Sequence, residues 1–207
     1  MNCSNKSAEE KIKIAAIKVF LEKGFDGTTI RDIAKEADLN CALMNYYFRS
    51  KEKLFRSVFE DMIQLFFKGI LEIFNQPISL RNKLNKLIDH DFEMFKNNPK
   101  LANFVLNELT RNPERFLETL SIKKVLNQSF FEKQVLDAIK SGEIRDISAV
   151  HIMLLLKSNI QFIFQSRIMT TQIWGMTDED FDIFAANHKE IIKEMIGNYL
   201  FGPADTE

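Results

Sequence analysis

The chain has 207 residues, 45% of them hydrophobic and 28% charged, which is enough to bury the core of one large domain or two smaller ones. Neither a signal segment nor an uncharged apolar run long enough to cross a bilayer is present, so we expect a cytoplasmic protein without a membrane partner. The two cysteines, Cys3 and Cys41, do not make a disulfide framework, which excludes small disulfide-stapled domains and fits a reducing compartment.

The pattern of apolar residues predicts an all-α fold. Apolar side chains recur with helical spacing almost everywhere, and only four prolines and seven glycines interrupt them. No alternating pattern beside a hairpin turn indicates a strand. Two prolines follow an asparagine, as Asn98-Pro99 and Asn112-Pro113, and this pair is typical of a helix start.

The first fifty residues predict three short helices. The first runs from about Ser7 to Lys23 and ends at Gly24. The second, Thr29 to Ala37, begins with a capping-box pattern in which Asp32 replaces the usual Glu or Gln. The third runs from Asn40 to Phe48, with Asn40 as its N-cap.

Longer helices follow. An apolar stripe from Leu54 to Phe74 predicts a long helix that starts at Lys51, after an N-cap at Ser50, and ends near a turn at Pro77. The other predicted helices are about Ser79–Asn97, Pro99–Arg111, Pro113–Leu120, Ser121–Ser141, Ser148–Thr171 and Asp178–Phe201.

The second and third helices have the proportions of a helix-turn-helix motif at about residues 29–48. In that motif the second helix enters the major groove of DNA. Met44 and Phe48 share the inward face of this helix, which leaves the other side chains free to reach base edges. These side chains are Cys41, Ala42, Leu43, Asn45 and Tyr46. Asn45 is the most informative, because asparagine can form two hydrogen bonds with adenine.

Lys51 and the charge distribution also indicate DNA binding. A cation in the first turn of a helix opposes the helix dipole, whereas a phosphate bound there would reverse that sign. Residues 1–56 contain eleven basic and eight acidic residues, a net charge of +3, so the remainder carries −4. The near-neutral total therefore hides a basic N-terminal end.

The stretch "AAIKVFLEKGFDGTTIRDIAKEADLN....NYYFRSKEKLF" closely resembles the DNA-binding domain of TetR/AcrR-family transcriptional regulators, over about Lys11 to Val58. The segments "GFDGTTIRDIAKEA" and "YYFRSKEKLF" are specific at this spacing, and the remainder matches only in architecture. The resemblance implies an all-α fold of about nine helices, with an N-terminal three-helix helix-turn-helix DNA-binding domain (6–53) and a larger C-terminal helical ligand-binding and dimerisation domain (54–207).

The resemblance also implies a homodimeric repressor. Such a protein binds a palindromic operator in double-stranded DNA and releases it when a small-molecule effector, here unidentified, occupies the C-terminal domain. By position, Thr29, Tyr47 and Lys51 would contact phosphates. The full set of predicted DNA-binding residues is Thr29, Arg31, Asn40, Cys41, Ala42, Leu43, Asn45, Tyr46, Tyr47 and Lys51.

Three positions depart from the family's common pattern. Asp38 replaces the usual glycine of the turn, and aspartate tolerates left-handed backbone better than most residues. Cys41 stands where lysine is frequent, and Asn45 stands where tyrosine is frequent. The operator preference of relatives is therefore not expected to transfer to this chain.

The chain has nineteen phenylalanines, many of them after residue 54. They either fill a helical core or line an apolar effector cavity with a few polar groups, and periodicity does not decide between the two. The candidate ligand-binding residues are Phe66, His90, Phe92, Phe104, Phe131, Asn159 and Phe162.

The last two helices carry long apolar stripes. These predict either packing within one protomer or a four-helix interface between two protomers, which the resemblance also implies. The candidate interface residues are Ile160, Phe164, Phe184, His188, Ile191, Ile192, Met195 and Tyr199.

Catalysis finds little support in the sequence. His90, His151 and His188 lie far apart, and no HExxH, CxxC, GxSxG or Gly-rich phosphate loop is present. We therefore expect no enzyme activity, no metal site and no cofactor, and we interpret Cys41 as a packing or groove-facing residue rather than a redox switch. The alternative function is a helical ligand-binding or protein-interaction module whose helix-turn-helix no longer binds DNA.

Overall fold

The computed structural model describes residues 7–111, 114 and 130–202, and its helices are numbered here in chain order. They are α1 (Ala8–Gly27), α2 (Ile30–Ala37), α3 (Cys41–Phe48), α4 (Lys51–Phe74), α5 (Leu80–Asn97), α6 (Pro99–Arg111), α7 (Phe130–Lys140), α8 (Ala149–Gln165), α9 (Arg167–Trp174) and α10 (Asp178–Phe201). No strand occurs among the described residues, and the all-α prediction is confirmed. The predicted helix Pro113–Leu120 and the first part of Ser121–Ser141 lie outside the described residues.

Side-chain caps begin several helices where the sequence predicts them. The side chains of Ser7, Thr29, Asn40 and Ser79 each accept a hydrogen bond from a backbone N–H in the first turn of the helix that follows. These bonds satisfy donors that the helix itself leaves unpaired. Gly24, with φ 69°, interrupts the regular geometry of α1 as expected, and the chain makes a further turn before α1 ends.

The helix predicted from Ser148 to Thr171 is two helices, α8 and α9, which is a correction to the sequence-based boundaries. They meet at Ser166, whose hydroxyl donates to the Ile163 carbonyl at 3.2 Å and accepts from the Thr170 hydroxyl at 3.3 Å. Side-chain hydrogen bonds to nearby backbone groups compete with helix continuation, and apolar periodicity does not detect them.

A first compact unit contains residues 7–66 together with the described residues from 104 to 114. Its interior is aromatic. The ring of Phe55 lies edge-on to Phe20 at 5.0 Å and to Phe25 at 4.8 Å, and Phe59 and Phe104 extend the cluster. Burying an aromatic ring contributes roughly 2 kcal/mol of transfer free energy, so the cluster holds α1 against residues of α4 and α6 within this unit.

A second compact unit contains residues 67–103 and 130–202. Within it, α5 packs against α8 and α10. Phe164 of α8 contacts Phe92 of α5 at 5.3 Å and Phe181 of α10 at 6.5 Å, measured between ring centroids. Phe74 and Phe131 stack in parallel at 4.7 Å. The core of this unit is therefore held mainly by aromatic contacts between helices distant in sequence.

None of the helices in the described ranges combines the length and the apolar character needed to cross a membrane. The helices α4 and α6 each contribute residues to both compact units. The predicted functional division into 6–53 and 54–207 concerns which residues bind DNA, and it remains a prediction.

Candidate nucleic-acid interface

The start of α2 is fixed by a reciprocal pair of hydrogen bonds between Thr29 and Asp32. The Thr29 hydroxyl accepts from the Asp32 backbone N–H at 3.1 Å, and the Asp32 carboxylate accepts from the Thr29 backbone N–H at 2.8 Å. This is the capping box predicted from the sequence, with aspartate in the glutamate position. The Lys23 ammonium, 2.7 Å from Asp32, and the Thr29 donors hold the pKa of the Asp32 carboxyl well below its usual range.

The Thr29 hydroxyl has a second consequence for DNA contacts. It also donates to the Asp32 carboxylate at 2.6 Å, and a hydroxyl has only one hydrogen to donate. A phosphate contact from this hydroxyl therefore requires that the bond to Asp32 be exchanged. The contact between Thr29 and a phosphate remains a prediction, as does that of exposed Arg31 on the same helix.

The turn between α2 and α3 contains Asp38 in left-handed conformation, with φ 53° and ψ 46°. Its backbone N–H donates to the carbonyls of Ala34 and Lys35, and the N–H of Leu39 donates to the Ala34 carbonyl at 3.0 Å. Aspartate thus occupies the left-handed position where glycine is usual. The tight turn of the motif is retained.

The helix α3 has one buried and one exposed face. Met44 and Phe48 are buried, and the Asn40 side-chain oxygen accepts from the Leu43 N–H at 2.8 Å to cap the helix. Leu43 is half-buried. The exposed side chains are those of Cys41, Ala42, Asn45, Tyr46 and Tyr47. This places the small residues, the amide and both tyrosines on a surface that DNA can reach, and their roles on DNA remain predictions.

Lys51 makes contacts that the sequence did not reveal. Its ammonium donates to the carbonyl oxygens of Phe25 at 3.0 Å and Thr28 at 2.9 Å, and it lies 4.3 Å from the centroid of the Phe25 ring. These carbonyls end the α1 segment, where a cation is favourable. The fold thus explains this lysine without a phosphate, contrary to the electrostatic expectation from the sequence. An ammonium has three donors, so one remains for DNA, and that contact is still a prediction.

The comparisons with known proteins agree with this geometry. Residues 14–58 match the family model described as bacterial regulatory proteins, tetR family. A probable HTH-type transcriptional regulator, YttP of Bacillus subtilis (strain 168), is 30% identical over 158 residues, which cover 73% of this chain and 74% of that protein. The chain belongs to the TetR family. As a TetR-family protein it is a DNA-binding transcriptional regulator, the class to which these relatives belong.

Two further proteins match this TetR-family chain over most of its length. The fatty acid metabolism regulator protein of Bacillus subtilis (strain 168) is 24% identical over 176 residues, 84% of this chain and 87% of that protein. The crystal structure of a transcriptional regulator FadR from Bacillus subtilis in complex with stearoyl-CoA superposes with a TM-score of 0.62. It is 22% identical and covers 88% of this chain and 96% of that one, so it shows a shared fold for most of the length.

The predicted ligand-binding residues are distributed over both compact units. Phe104 packs against Phe55 and Phe59 in the first unit, whereas Phe131 stacks on Phe74 in the second. The side chain of Phe66 lies outside the described residues. The role of these residues in ligand binding remains a prediction.

Phe162 is a specific correction among the predicted ligand-binding residues. Its side chain is 62% exposed on α8, so it belongs to the surface of a protomer rather than to an enclosed cavity. The Asn159 amide donates to the Leu155 carbonyl one turn earlier, at 2.7 Å. On α5, Phe92 is buried and His90 is half-buried.

The structure also contains a cluster of polar side chains, Asp91, Lys157 and His90, that the sequence did not predict. The Asp91 carboxylate, only 2% exposed, pairs with the Lys157 ammonium of α8 at 2.6 Å, and the His90 Nδ1 atom lies 3.4 Å from the same carboxylate. A signal was present in the sequence. Asp91 follows Leu87 and precedes Phe95 at the four-residue spacing of the apolar stripe of α5, where a charge requires a partner.

Lys83 is a second charged residue on the buried stripe of α5. Its ammonium donates to the Phe74 carbonyl at 2.7 Å and lies 4.6 Å from the centroid of the Phe130 ring. Burial lowers the pKa of Lys83. The two buried charges show that the interior of the second unit is not purely apolar.

The predicted dimer residues divide into two groups. Ile160, Phe164 and Ile192 are buried within a single protomer, so they belong to its core and their assignment to an interface is corrected. Apolar periodicity selects residues at the buried centre of a helix face and at its exposed edge alike, so it does not separate core from interface. The remaining predictions, on α10, are at least partly exposed: Phe184, His188, Ile191, Met195 and Tyr199.

Further apolar residues are exposed on α8, α9 and α10 and were not predicted. They are Val150 and Leu154 of α8, Ile168, Met169, Ile173 and Trp174 of α9, and Ile183 of α10. The helix α9 buries none of its residues. Contiguous exposed apolar patches mark interaction sites, so these residues are candidates for an interface.

Proposed function

We propose that this chain is a homodimeric, cytoplasmic repressor without catalytic activity, which binds a palindromic operator and releases it when a small molecule binds in residues 54–207. The observation that carries this proposal is the two-sided character of α3. Its inward residues Met44 and Phe48 are buried, while Asn45 and Tyr46 are exposed on a helix whose N-terminus is capped by Asn40. A helix presented in this way is the reading element of a helix-turn-helix.

The operator contacts follow from the chemistry of the exposed residues. The Asn45 amide carries a donor and an acceptor that match the N6 and N7 edge of adenine in the major groove. Cys41 and Ala42 are small, so they allow the helix backbone to approach the bases. Tyr47 and Lys51, at the end of α3 and the start of α4, would bind phosphates and set the register.

The dimer would form through the exposed apolar surface of α8, α9 and α10. On α10, Phe184, Ile191, Met195 and Tyr199 recur at helical spacing and are all more than a third exposed. A second copy offers the same surface, and a two-fold arrangement buries both at once. Two-fold symmetry also places two α3 helices on the two half-sites of a palindrome.

The effector would bind in the second unit, whose interior combines aromatic side chains with the buried groups Lys83 and Asp91. Small-molecule sites are typically apolar with a few convergent polar groups. An acyl-CoA is the first compound class to test, because one relative is a fatty acid metabolism regulator and one structural neighbour was solved with stearoyl-CoA.

A selection from random duplexes by the full-length protein tests the proposal. We expect an enriched sequence with two inverted half-sites, bound by a dimer, with an affinity that falls steeply as salt increases. Release of this duplex is then measured with stearoyl-CoA and with other apolar and amphipathic compounds, alongside thermal shift. Failure to enrich any salt-sensitive specific site would leave the protein as a ligand-binding or interaction module and would overturn the proposal.

A further inference from the structure

Arg49 occupies a backbone conformation that the folded chain alone does not favour. It lies in the turn between α3 and α4 with φ 61° and ψ −32°, and only Asp38 shares a positive φ among the described residues other than glycine. A β-carbon is disfavoured there by contacts with the neighbouring peptide groups, which glycine avoids. The turn would therefore form more easily with glycine at position 49.

Within the described ranges, the side chain of Arg49 does not offset this strain with a stabilising interaction. It is exposed and forms no hydrogen bond, ion pair or ring contact with another residue of the described ranges. Asp38 offers a contrast, because its type of side chain is tolerated in left-handed turns and arginine is not among those residues. A strained residue with a free cationic side chain is typical of a binding position.

Arg49 lies directly after α3, the helix whose exposed face is proposed to bind DNA. Its backbone N–H donates to the Asn45 carbonyl at 3.0 Å, so it directly continues the helix that presents Asn45 and Tyr46. An eight-residue helix is about 12 Å long, which is close to the width of the major groove. When the start of α3 lies among the bases, the residue after its end lies at the groove's edge, where the phosphates are.

We propose that Arg49 is a DNA-contact residue whose guanidinium binds a backbone phosphate at the edge of each half-site. This proposal rests on the proposed function, since it needs an operator-bound α3, and it adds a residue to which neither the motif nor the family pattern assigned a role. The guanidinium matches phosphate oxygens with two parallel hydrogen bonds. It would act independently of sequence, fixing register rather than reading bases.

The test compares Arg49→Gly with wild type and with Arg49→Lys. We expect the glycine variant to keep a melting temperature equal to or a few degrees above that of wild type, because the turn loses its strain. Its affinity for the selected duplex and for random duplex should fall by the same factor. For a dimer on two half-sites, the slope of log affinity against log salt should become shallower by about two, because two phosphate contacts are lost. Arg49→Lys should restore most of the slope.

One control variant tests whether the change in slope is specific to Arg49. Lys96→Gln removes one exposed charge from the second unit and should leave the slope unchanged. If Arg49→Gly lowers the melting temperature, Arg49 stabilises the fold. If the variant keeps the wild-type salt slope, Arg49 does not contact a phosphate. Either result overturns the proposal. A wild-type protein that binds no duplex in a salt-sensitive way would instead contradict the proposed function itself. The two failures therefore give different results.

Discussion

The imidazole of His90 lies directly against the backbone of Gly69, so that a β-carbon built on the glycine would stand 2.8 Å from Cδ2 of the ring and closer still to Nε2. Gly69 belongs to α4 and His90 to α5, and both lie in the second unit. His90 is also 3.4 Å from Asp91, which pairs with Lys157. A single glycine thus allows α4 to contact the polar group inside this unit.

The effect of Gly69→Ala on the free energy of unfolding should depend on the residue at position 90, destabilising beside histidine and stabilising beside alanine. In the wild-type background we expect a loss of about 1–3 kcal/mol in the free energy of unfolding, because the half-buried ring must move. In a His90→Ala background the same change should stabilise by up to about 1 kcal/mol, since alanine is the better helix former. Urea unfolding of the four proteins measures both effects. An equal effect of Gly69→Ala in the two backgrounds would show that the ring does not lie against this backbone.

The Asp91–Lys157 pair should be costly to break from the buried side. Asp91→Ala removes a carboxylate that is only 2% exposed together with its ion pair to Lys157, and we expect it to cost about 3 kcal/mol of unfolding free energy. The matched control is Lys13→Ala, which breaks an ion pair with Asp61 of similar length but much greater exposure and should cost less than about 1 kcal/mol. Denaturant titration checks the difference. Equal losses from the two variants would mean that burial adds nothing to the Asp91 pair.

Lys83 should make stability increase with pH in the alkaline range. Its pKa is lowered in the folded protein from an ordinary value of 10.5, so between the two values the unfolded chain binds more protons than the folded one. Lys83→Met removes this titration, and the stability of the methionine variant relative to wild type should be greatest near neutral pH and decline toward pH 10.5. Thermal unfolding across pH measures it. A stability difference between Lys83→Met and wild type that does not vary with pH would contradict this prediction.

Asn45 and Lys51 should affect DNA binding in different ways. Asn45→Ala is expected to relax one position of each half-site at a cost of roughly 1–3 kcal/mol, without changing the salt slope. Lys51→Ala should weaken all duplexes alike and reduce the slope by about one for each half-site. Fluorescence anisotropy with selected, mutated and random duplexes measures both. Equal effects of the two variants on specific and random DNA would refute this separation of roles.

Lys51→Ala carries a structural effect that must be measured beside its DNA binding. The Phe25 and Thr28 carbonyls lose their hydrogen bonds from the Lys51 ammonium, and a hydrogen bond to a charged group contributes about 1.5–3 kcal/mol. We therefore expect a lower melting temperature for Lys51→Ala and an unchanged one for Asn45→Ala, whose side chain is exposed. A melting temperature of Lys51→Ala equal to that of wild type would show that the contacts with α1 contribute little.

The single tryptophan provides a direct measurement of the proposed dimer surface. Trp174 of α9 is 72% exposed in one protomer, so its emission should lie at shorter wavelength in the dimer and shift to longer wavelength on dilution. Tyr199→Asp, on the exposed face of α10, should produce monomers by sedimentation and the same emission shift, because it places a charge in an apolar interface. Leu136→Asp on α7 is the control and should remain dimeric. Emission independent of concentration and of Tyr199→Asp would place the interface elsewhere.

The sequence by itself determined where most described helices begin and the helix-turn-helix they form. Thr29 with Asp32, Asn40 with Leu43, and the left-handed Asp38 act within a few residues, so their hydrogen bonds depend on local order along the chain. The inward placement of Met44 and Phe48 follows from helical periodicity for the same reason. The break at Ser166 was not predicted, because apolar periodicity does not detect a competing side-chain hydrogen bond.

The tertiary structure decided what periodicity leaves open, namely the partners of side chains that meet across large sequence distances. The ammonium of Lys51 binds carbonyls more than twenty residues away, and Asp91 finds Lys157 sixty-six residues later. Exposure is equally non-local. Ile192 is buried and Ile191 is 56% exposed on the same helix, because the packing of α10 against α5 and α8 selects one edge of the apolar stripe for the core and leaves the other to the surface.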